Sequence, residues 1–526
     1  MTSLSRRTVI AAGSTLCAAP AIARGTRQHT LICTHDSIAV LDPVLSTADV
    51  TRDFGYMVFD TLFGVDSDGN VHPQMAEGHT VEDDGRRIII ALRRGLVFHD
   101  GEGVTAADCV ASLRRWMARD VFGQKLAELL ADITAPSDDR IVLRFRQPFP
   151  IAIEALAKFG AIPAFIMPAR LAATDPSRPV PEIIGSGPYR FVPAEWNAGN
   201  AMVFVANERY SPTPAGPQSL TAGPKLPLMQ RVEWRFLNDP STAAAALQAG
   251  EIDWWHNVQH DLKPLLAPHR AVTVSRAGDH GSFAYIRPNH LHPPFNDAAA
   301  RRAVMAAIDQ TEFMRALFGE DRDAWTAPVG FFTPGAPMAN RAGFEALAAS
   351  QAAAREGLAR AGVVGAKVTL LAAGDIPIHS TLGVIAADML RKIGLDVDLA
   401  VSDWASLVAR RAKREAPAQA GWNAFISTTN GTDTAEPATH RQLRANGLRG
   451  WFGWPDIPAL ERQRDAWFAA PTRAAQTDIA AAMQRTAFAE VPYWPLGHYV
   501  VFRAQRNSIS GSRTGLTVAW NVRKEA

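Results

Sequence analysis

Residues 91–116, ALRRGLVFHDGEGVTAADCVASLRRW, set out a fold through the order of their turn, cap and helix signals. Asp100-Gly101 is a turn dipeptide: glycine accepts the positive φ of a tight reversal, and aspartate bonds its own backbone two residues on. Thr105 stands where a helix cap belongs, and Asp108 three residues later puts a carboxylate at the positive end of the helix dipole. The spacing predicts a helix from Thr105 to Arg119, which makes His99 and Asp100 scaffold beside a turn rather than an acid/base pair. Alternating strand-like runs flank it, RRIIIALRRG at 86–95 and DDRIVLRFRQPF at 138–149. Strands around a helix read as a small α+β unit set into a larger chain.

Working outward, the run TLICTHDSIAVLDP from Thr30 is a first strand delivering a loop at Asp42-Pro43. Asp53 to Phe63 places Phe54, Met57, Val58, Thr61 and Leu62 on one helical face, the spacing of a core stripe. After the insert, Gly-Ser-Gly-Pro at 185–188 marks a tight turn, strand character returns to Tyr210, and 211–228 is a Pro/Gly-rich surface loop. Val232 to Phe236 feeds Asp239-Pro240 and an Ala-rich helix closed by Gly250. A second α/β alternation follows: strand at 368–371, helix from Ser380 to Ile393 closed by Gly394, and strand at 395–401. The late run PYWPLGHYVVFR, 492–503, is an apolar strand that returns toward the first lobe.

Composition narrows the function classes. The chain has 526 residues, 47% hydrophobic and 20% charged, enough for cores in two or three lobes and outside the disordered class. Lys plus Arg is 54 against 52 Asp plus Glu, a formal net charge of +2, without the basic excess of a nucleic-acid binder. Cys17, Cys33 and Cys109 form no disulfide framework and no Cys-x-x-Cys pair. Residues 1–23 read as a signal peptide: Arg6-Arg7 in a Ser-Arg-Arg-Thr-Val-Ile block similar to the twin-arginine motif, then an Ala-rich apolar run, then Ala21-Ile22-Ala23 at the cut. Leu16 before Cys17 departs from a lipoprotein box. The reading is a soluble, near-neutral protein in the periplasm, cleaved near Ala23.

Several blocks in order resemble the family 5 extracellular solute-binding proteins, the peptide, dipeptide and nickel binders of ABC importers. Residues 91–116 are similar to the family's Leu-Arg, apolar pair, Phe-His-Asp-Gly and Thr-Ala-Asp signature. Ile184 to Tyr189 is similar to its Gly-Thr-Gly-Pro-Tyr turn, and Leu247 to Asp253 to its Leu-x-x-Gly-Glu-Ile-Asp. Pro294 to Asp297 with Arg301 to Val304 and Ala307 to Asp309 resembles the helix opening the second lobe. The resemblance spans nearly the whole mature chain. It implies an α/β, two-lobed periplasmic-binding-protein fold, type II-like, with an extra small α+β domain and a hinge between lobes. Its expected limits are 1–23 signal peptide; 24–68, 180–268 and 488–526 lobe I; 69–179 the insert; and 269–487 lobe II. Ligand is trapped between the lobes and handed to an ABC permease in the inner membrane, by a monomer needing no cofactor.

In peptide-binding relatives an Asp in a Trp-x-x-Asp-x-x-Asp-Pro pattern anchors the ligand amine. Matching Glu436-Pro437 to the Asp-Pro puts Asp433 on that anchor, with Asn430 where the relatives have tryptophan, a departure that points to a different solute. The other ligand-binding candidates are Trp422 and Trp404 as pocket walls, Thr47 and Asp49 from the loop after Asp42-Pro43, His498 on the late strand, and Arg441, with Arg444, as carboxylate forks. Each has a plain structural alternative in turn capping, core packing or a solvated helix face. A nickel or metal-chelate binder of the same fold would draw on His290 and His292. A sensor or chaperone is a further alternative. An enzyme is the remotest, since the chain has no G-x-S-x-G, H-E-x-x-H or Walker loop.

Overall fold

A computed structural model describes residues 29–214 and 216–525; the export segment with Arg6, Arg7 and Cys17 lies outside them. Two large mixed sheets and one small antiparallel sheet carry the chain. The first sheet has seven strands in the order Tyr189–Phe191, Ala201–Ala206, Arg231–Arg235, Thr30–Thr34, Trp254–Val258, Phe502–Arg506 and Val272–Arg276. Thr30–Thr34 lies near its middle, parallel to both neighbours and buried at every position, as the unbroken apolar run requires. Its crossover helix, Pro240–Ala249, is capped by Asp239 accepting the Thr242 N–H and closed by Gly250 at φ 73°.

The insert is an antiparallel sheet in the order Ala76–Glu82, Arg87–Leu92, Arg140–Phe145, Leu130–Ser137. Its helix, Ala106–Met117, opens with the capping box that the spacing predicts: Thr105 Oγ1 accepts the Asp108 N–H, and Asp108 Oδ2 accepts that of Thr105 at 2.9 Å. Cys109, Leu113 and Trp116 form its buried face. His99 shares a 3.0 Å hydrogen bond with Gly187 O, and Asp100 pairs with Arg170, so both belong to the scaffold. Burial pushes the Cys33 and Cys109 thiols far up.

The second large sheet runs Trp325–Thr326, Trp494–Tyr499, Ser282–Pro288, Ala424–Asn430, Lys367–Ala373, Asp396–Ser402. The last three are parallel, joined by the helix Pro377–Lys392 and the helix Trp404–Arg411. The chain passes between the large sheets twice, at 277–281 and at 500–501, and the crossings touch where the Ala277 N–H donates to Val501 O at 2.8 Å.

Three sequence expectations meet a different geometry. The limits 269 and 487 fall short of the crossings, because Val272–Arg276 pairs into the first sheet and Trp494–Tyr499 into the second. The run at 492–503 is accordingly two strands, divided at Val500-Val501, since one strand cannot serve two separate sheets. The helix expected over 53–63 is Asp49–Val58, after which Asp60-Thr61 forms a short strand with Phe165-Ile166. Periodicity sees the buried Phe54, Met57 and Val58, but not the partner strand brought in by the insert.

Candidate binding cleft

Strands Thr30–Thr34 and Trp254–Val258 end their parallel run at the gap between the lobes, where open α/β sheets leave room for ligands. The cleft has a volume of about 1060 Å³ and takes wall residues from both lobes, the insert and the crossing 277–281.

The first-lobe wall is a charged cluster on the helix Asp49–Val58. Arg52 donates from Nε and Nη2 to Asp53 Oδ1 at 2.9 and 2.8 Å, and its Nη1 lies 3.1 Å from Asp49 Oδ1. Asp53 Oδ2 accepts the Thr517 N–H and lies 3.3 Å from His35 Nε2. His35 Nδ1 accepts the Asp36 N–H, so its proton sits on Nε2 facing Asp53. Burial works to raise the Asp53 carboxyl, but Arg52 and His35 outweigh it and hold it below its ordinary value. Asp49 goes the other way: desolvation, with Asp53 and Asp433 nearby, outweighs Arg52 and raises it.

The second-lobe wall follows the strand Ala424–Asn430. Asn430 caps the turn after that strand, its Oδ1 accepting the Thr432 N–H at 2.9 Å, while its Nδ2 reaches across the cleft to Asp49 Oδ2 at 3.5 Å. Asp433 is buried, and both of its oxygens are engaged. Oδ1 accepts the Ala161 N–H of the insert at 2.9 Å, and Oδ2 pairs with Arg441 Nη2 at 3.1 Å. Gly160 permits that approach, because a side chain there would overlap Asp433 Oδ1.

Thr47, Asp49, Trp404, Asn430, Asp433 and Arg441 thus all line the cleft, as does Arg444, which pairs with Glu461. Trp422 and His498 do not. Trp422 is fully buried against Phe425 and Trp454 with its Nε1 on Lys413 O, and Trp451 takes a wall position instead. His498 packs on Phe283 and shares a 2.7 Å hydrogen bond with His280 O behind the crossing.

His290 and His292 are held against the carbonyls of Pro492 and Arg414 and stand outside the cleft. Among the described residues, His35, Asp36 and His256 are the trio with ligand atoms close together, but both His35 nitrogens are already bonded. Arg52, Asp53, Arg411 and His379 are wall residues that sequence reasoning missed. Arg410-Arg411 ends a polar helix and reads as a solvated face, and no local signal says that Arg411 is buried.

The description "Bacterial extracellular solute-binding proteins, family 5 Middle" matches residues 70–442. The chain belongs to this family. As a family 5 solute-binding protein it is 33% identical over 534 residues to the probable peptide ABC transporter periplasmic-binding protein of Sinorhizobium fredii, covering 99% of each chain. It is 27% identical over 308 residues to the glutathione-binding protein of Salmonella choleraesuis, covering 58% of this chain and 56% of that one. The two-lobed family fold also appears in solved structures. The agropinic acid complex of AgaA from A. tumefaciens R10 superposes with TM-score 0.78 at 21% identity, covering 94% of this chain and 99% of that one. The Helicobacter pylori DppA complex with peptide STSA gives 0.78 at 19%, covering 94% and 98%.

Proposed function

We propose that this family 5 protein captures a short peptide or a similar amine-bearing solute between its lobes and delivers it to an ABC permease of the inner membrane, after export directed by residues 1–23. The observation that carries the reading is the wall of the cleft: Arg441 Nε, Gln442 Oε1 and Asn446 Oδ1 of the second lobe and Trp254 Nε1 of the first are buried there without hydrogen-bond partners. Buried polar atoms left unpaired are costly, and a solute with several donors and acceptors satisfies them from both sides at once. Such contacts exist only when both lobes engage, which is how binding drives closure about 277–281 and 500–501. The peptide reading is supported by the peptide-transport description of the Sinorhizobium fredii relative. Native mass spectrometry of protein purified from its own periplasm, with release and sequencing of the retained molecule, tests it. A peptide adduct is the expected outcome; a retained metal complex or a non-peptide solute would replace this reading.

A further inference from the structure

The crossing 277–281 is gripped at both ends. At its first-lobe end the Gly515 N–H donates to Ala277 O at 2.5 Å, and a Cβ on Gly278 would lie 3.2 Å from Gly515 Cα, so the two backbones touch. At its second-lobe end the Gly431 N–H donates to Gly281 O at 2.9 Å, and the His498 Nε2–H donates to His280 O at 2.7 Å. Gly281, at φ 54°, lets the crossing lie flat on the imidazole: a Cβ there would come within 2.7 Å of His498 Cε1. Between the two grips lies Gly278-Asp279, the stretch left to turn when the lobes part.

The ring that makes the second grip is short of a partner. His498 is 6% exposed, meets Phe283 edge to face at 5.2 Å, and keeps Nδ1 buried with no hydrogen bond. The strands Ser282–Pro288 and Trp325–Thr326 pair Phe283 and Thr326 with it, and the helix Gln310–Phe318 puts Met314 against Gly497 and leaves Glu312 and Arg315 exposed. The charged and titratable groups about the ring are therefore His280 and Asp279 of the crossing and Tyr499 of its own strand, with Asp49 of the first lobe acting on Tyr499 and Arg322 stacked on Trp325. Burial, helped by His280, holds His498 below its ordinary value against the hydrogen bond to His280 O, and burial holds His280 down against Asp279. A proton on Nδ1 finds no acceptor and faces a second imidazole, yet water is one layer away, because His280 lines the cleft.

We infer that His498 and His280 make the hinge acid-sensitive: the neutral ring of His498 bolts the crossing 277–281 to the second lobe, and a proton taken up at Nδ1 releases the bolt and opens the cleft. Opening turns the crossing off the ring and lets water solvate the imidazolium, so the open form binds the proton better than the closed one. Both rings sit below the ordinary value of about 6.5 in the closed form, which is therefore favoured above that pH and loses ground as the pH falls below it. Asp49, raised by burial and by Asp53 and Asp433, takes its proton more readily in the closed form and works in the opposite sense, so mutation has to separate the two. Solute held only by the closed form is released in acid. The device does not depend on which solute the cleft takes.

The protein, stripped of any retained solute by unfolding in guanidinium chloride and refolding, is followed from about pH 7.5 to about pH 5 by X-ray scattering and far-ultraviolet dichroism, beside His498→Gln and His280→Gln. The amide of the first variant keeps a donor for His280 O and takes up no proton. Wild type is expected to be compact at the neutral end and to expand reversibly in acid with its dichroism unchanged, while His498→Gln stays compact throughout. His280→Gln removes the like charge and leaves the carbonyl, so its expansion moves to higher pH. Histidine carbon-13 resonances, with His498 assigned by its loss in His498→Gln, are expected to place the titration of that ring below about 6.5 and at the midpoint of the expansion. A radius independent of pH, the same expansion in His498→Gln, loss of dichroism in step with the expansion, or an ordinary titration of His498 overturns the inference. If His498→Gln does not refold, His280→Gln decides: an expansion at unchanged pH overturns it, and a shift to higher pH upholds it.

Discussion

The carboxylate of Asp433 touches the second lobe through Arg441 and the inserted domain through the Ala161 N–H, so one side chain ties the two walls of the cleft. Its removal strands Arg441, already without an acceptor at Nε, and deletes a hydrogen bond across the gap. Asp433→Ala is expected to weaken solute binding by about 2 kcal/mol, read by calorimetry on whichever solute the native protein retains. Gly160→Ala reaches the same contact from the other side, since its methyl overlaps Asp433 Oδ1. It should reproduce most of that loss with little change in the unfolding midpoint; unaltered affinity in both variants would show that the contact plays no part in closure. Asp433 was legible in the sequence through its distance from Glu436-Pro437, whereas its partner at 161 was not, because no pattern in the chain joins positions 272 apart.

At the scale of elements, the helix Pro458–Ala469 of the second lobe docks on the insert helix Val121–Leu129. Phe468 packs on Phe122 at 5.5 Å and Phe149 at 6.0 Å, Arg464 Nη2 donates to Val121 O at 3.1 Å, and Lys125 pairs with Asp465 at 2.8 Å. The ion pair is largely exposed at Asp465 and contributes little, so the buried rings carry this contact. Phe468→Ala should therefore loosen the second lobe from the insert at a cost of about 3 kcal/mol, seen as a larger radius of gyration in X-ray scattering with an unchanged far-ultraviolet spectrum. An unaltered radius would rule out this helix as a tie between the two. Elements with local punctuation were read from sequence, as at Thr105 with Asp108 and at Asp239 with Gly250. Those whose limits depend on a distant strand were displaced, as at Asp49–Val58 and at the division of 492–503.

Over the whole molecule, buried neutral histidines set the response to acid. Burial with the nearby Arg411 holds His379 down to about 3, and burial, with Arg287 and Arg441, holds His440 down to about 4 although the hydrogen bond to Phe331 O opposes it. Their folded values lie below the unfolded value near 6.5, so the unfolded chain binds protons that the folded one refuses. Stability from these groups is complete above about pH 6.5 and falls as the pH drops below it, by about 2 kcal/mol for each by pH 5. Urea midpoints from pH 7.5 to 4.5 should show that decline, and His379→Gln should flatten it; a midpoint independent of pH would refute the assignment of neutral buried rings.

The sequence by itself determined the α/β class, the inserted small domain and the family, because these rest on local signals: turn dipeptides, caps, β-branched runs and signature blocks that the chain carries in order. Asp433, Asn430 and Asp49 were picked out through the resemblance to the family's patterns and Arg441 as a neighbour of that loop, and the fold sets all four on the wall of the cleft. Only the tertiary structure decided which of those charges already answer one another. Only it removed Trp422 and His498 from the wall and placed Arg411 among four aromatic rings, one from its own helix and three from the strand Ala424–Asn430 and the segment at 451–452. The physical reason is that pairing and desolvation depend on groups far apart in the chain, and a sequence pattern records a residue's own periodicity but not its eventual neighbours.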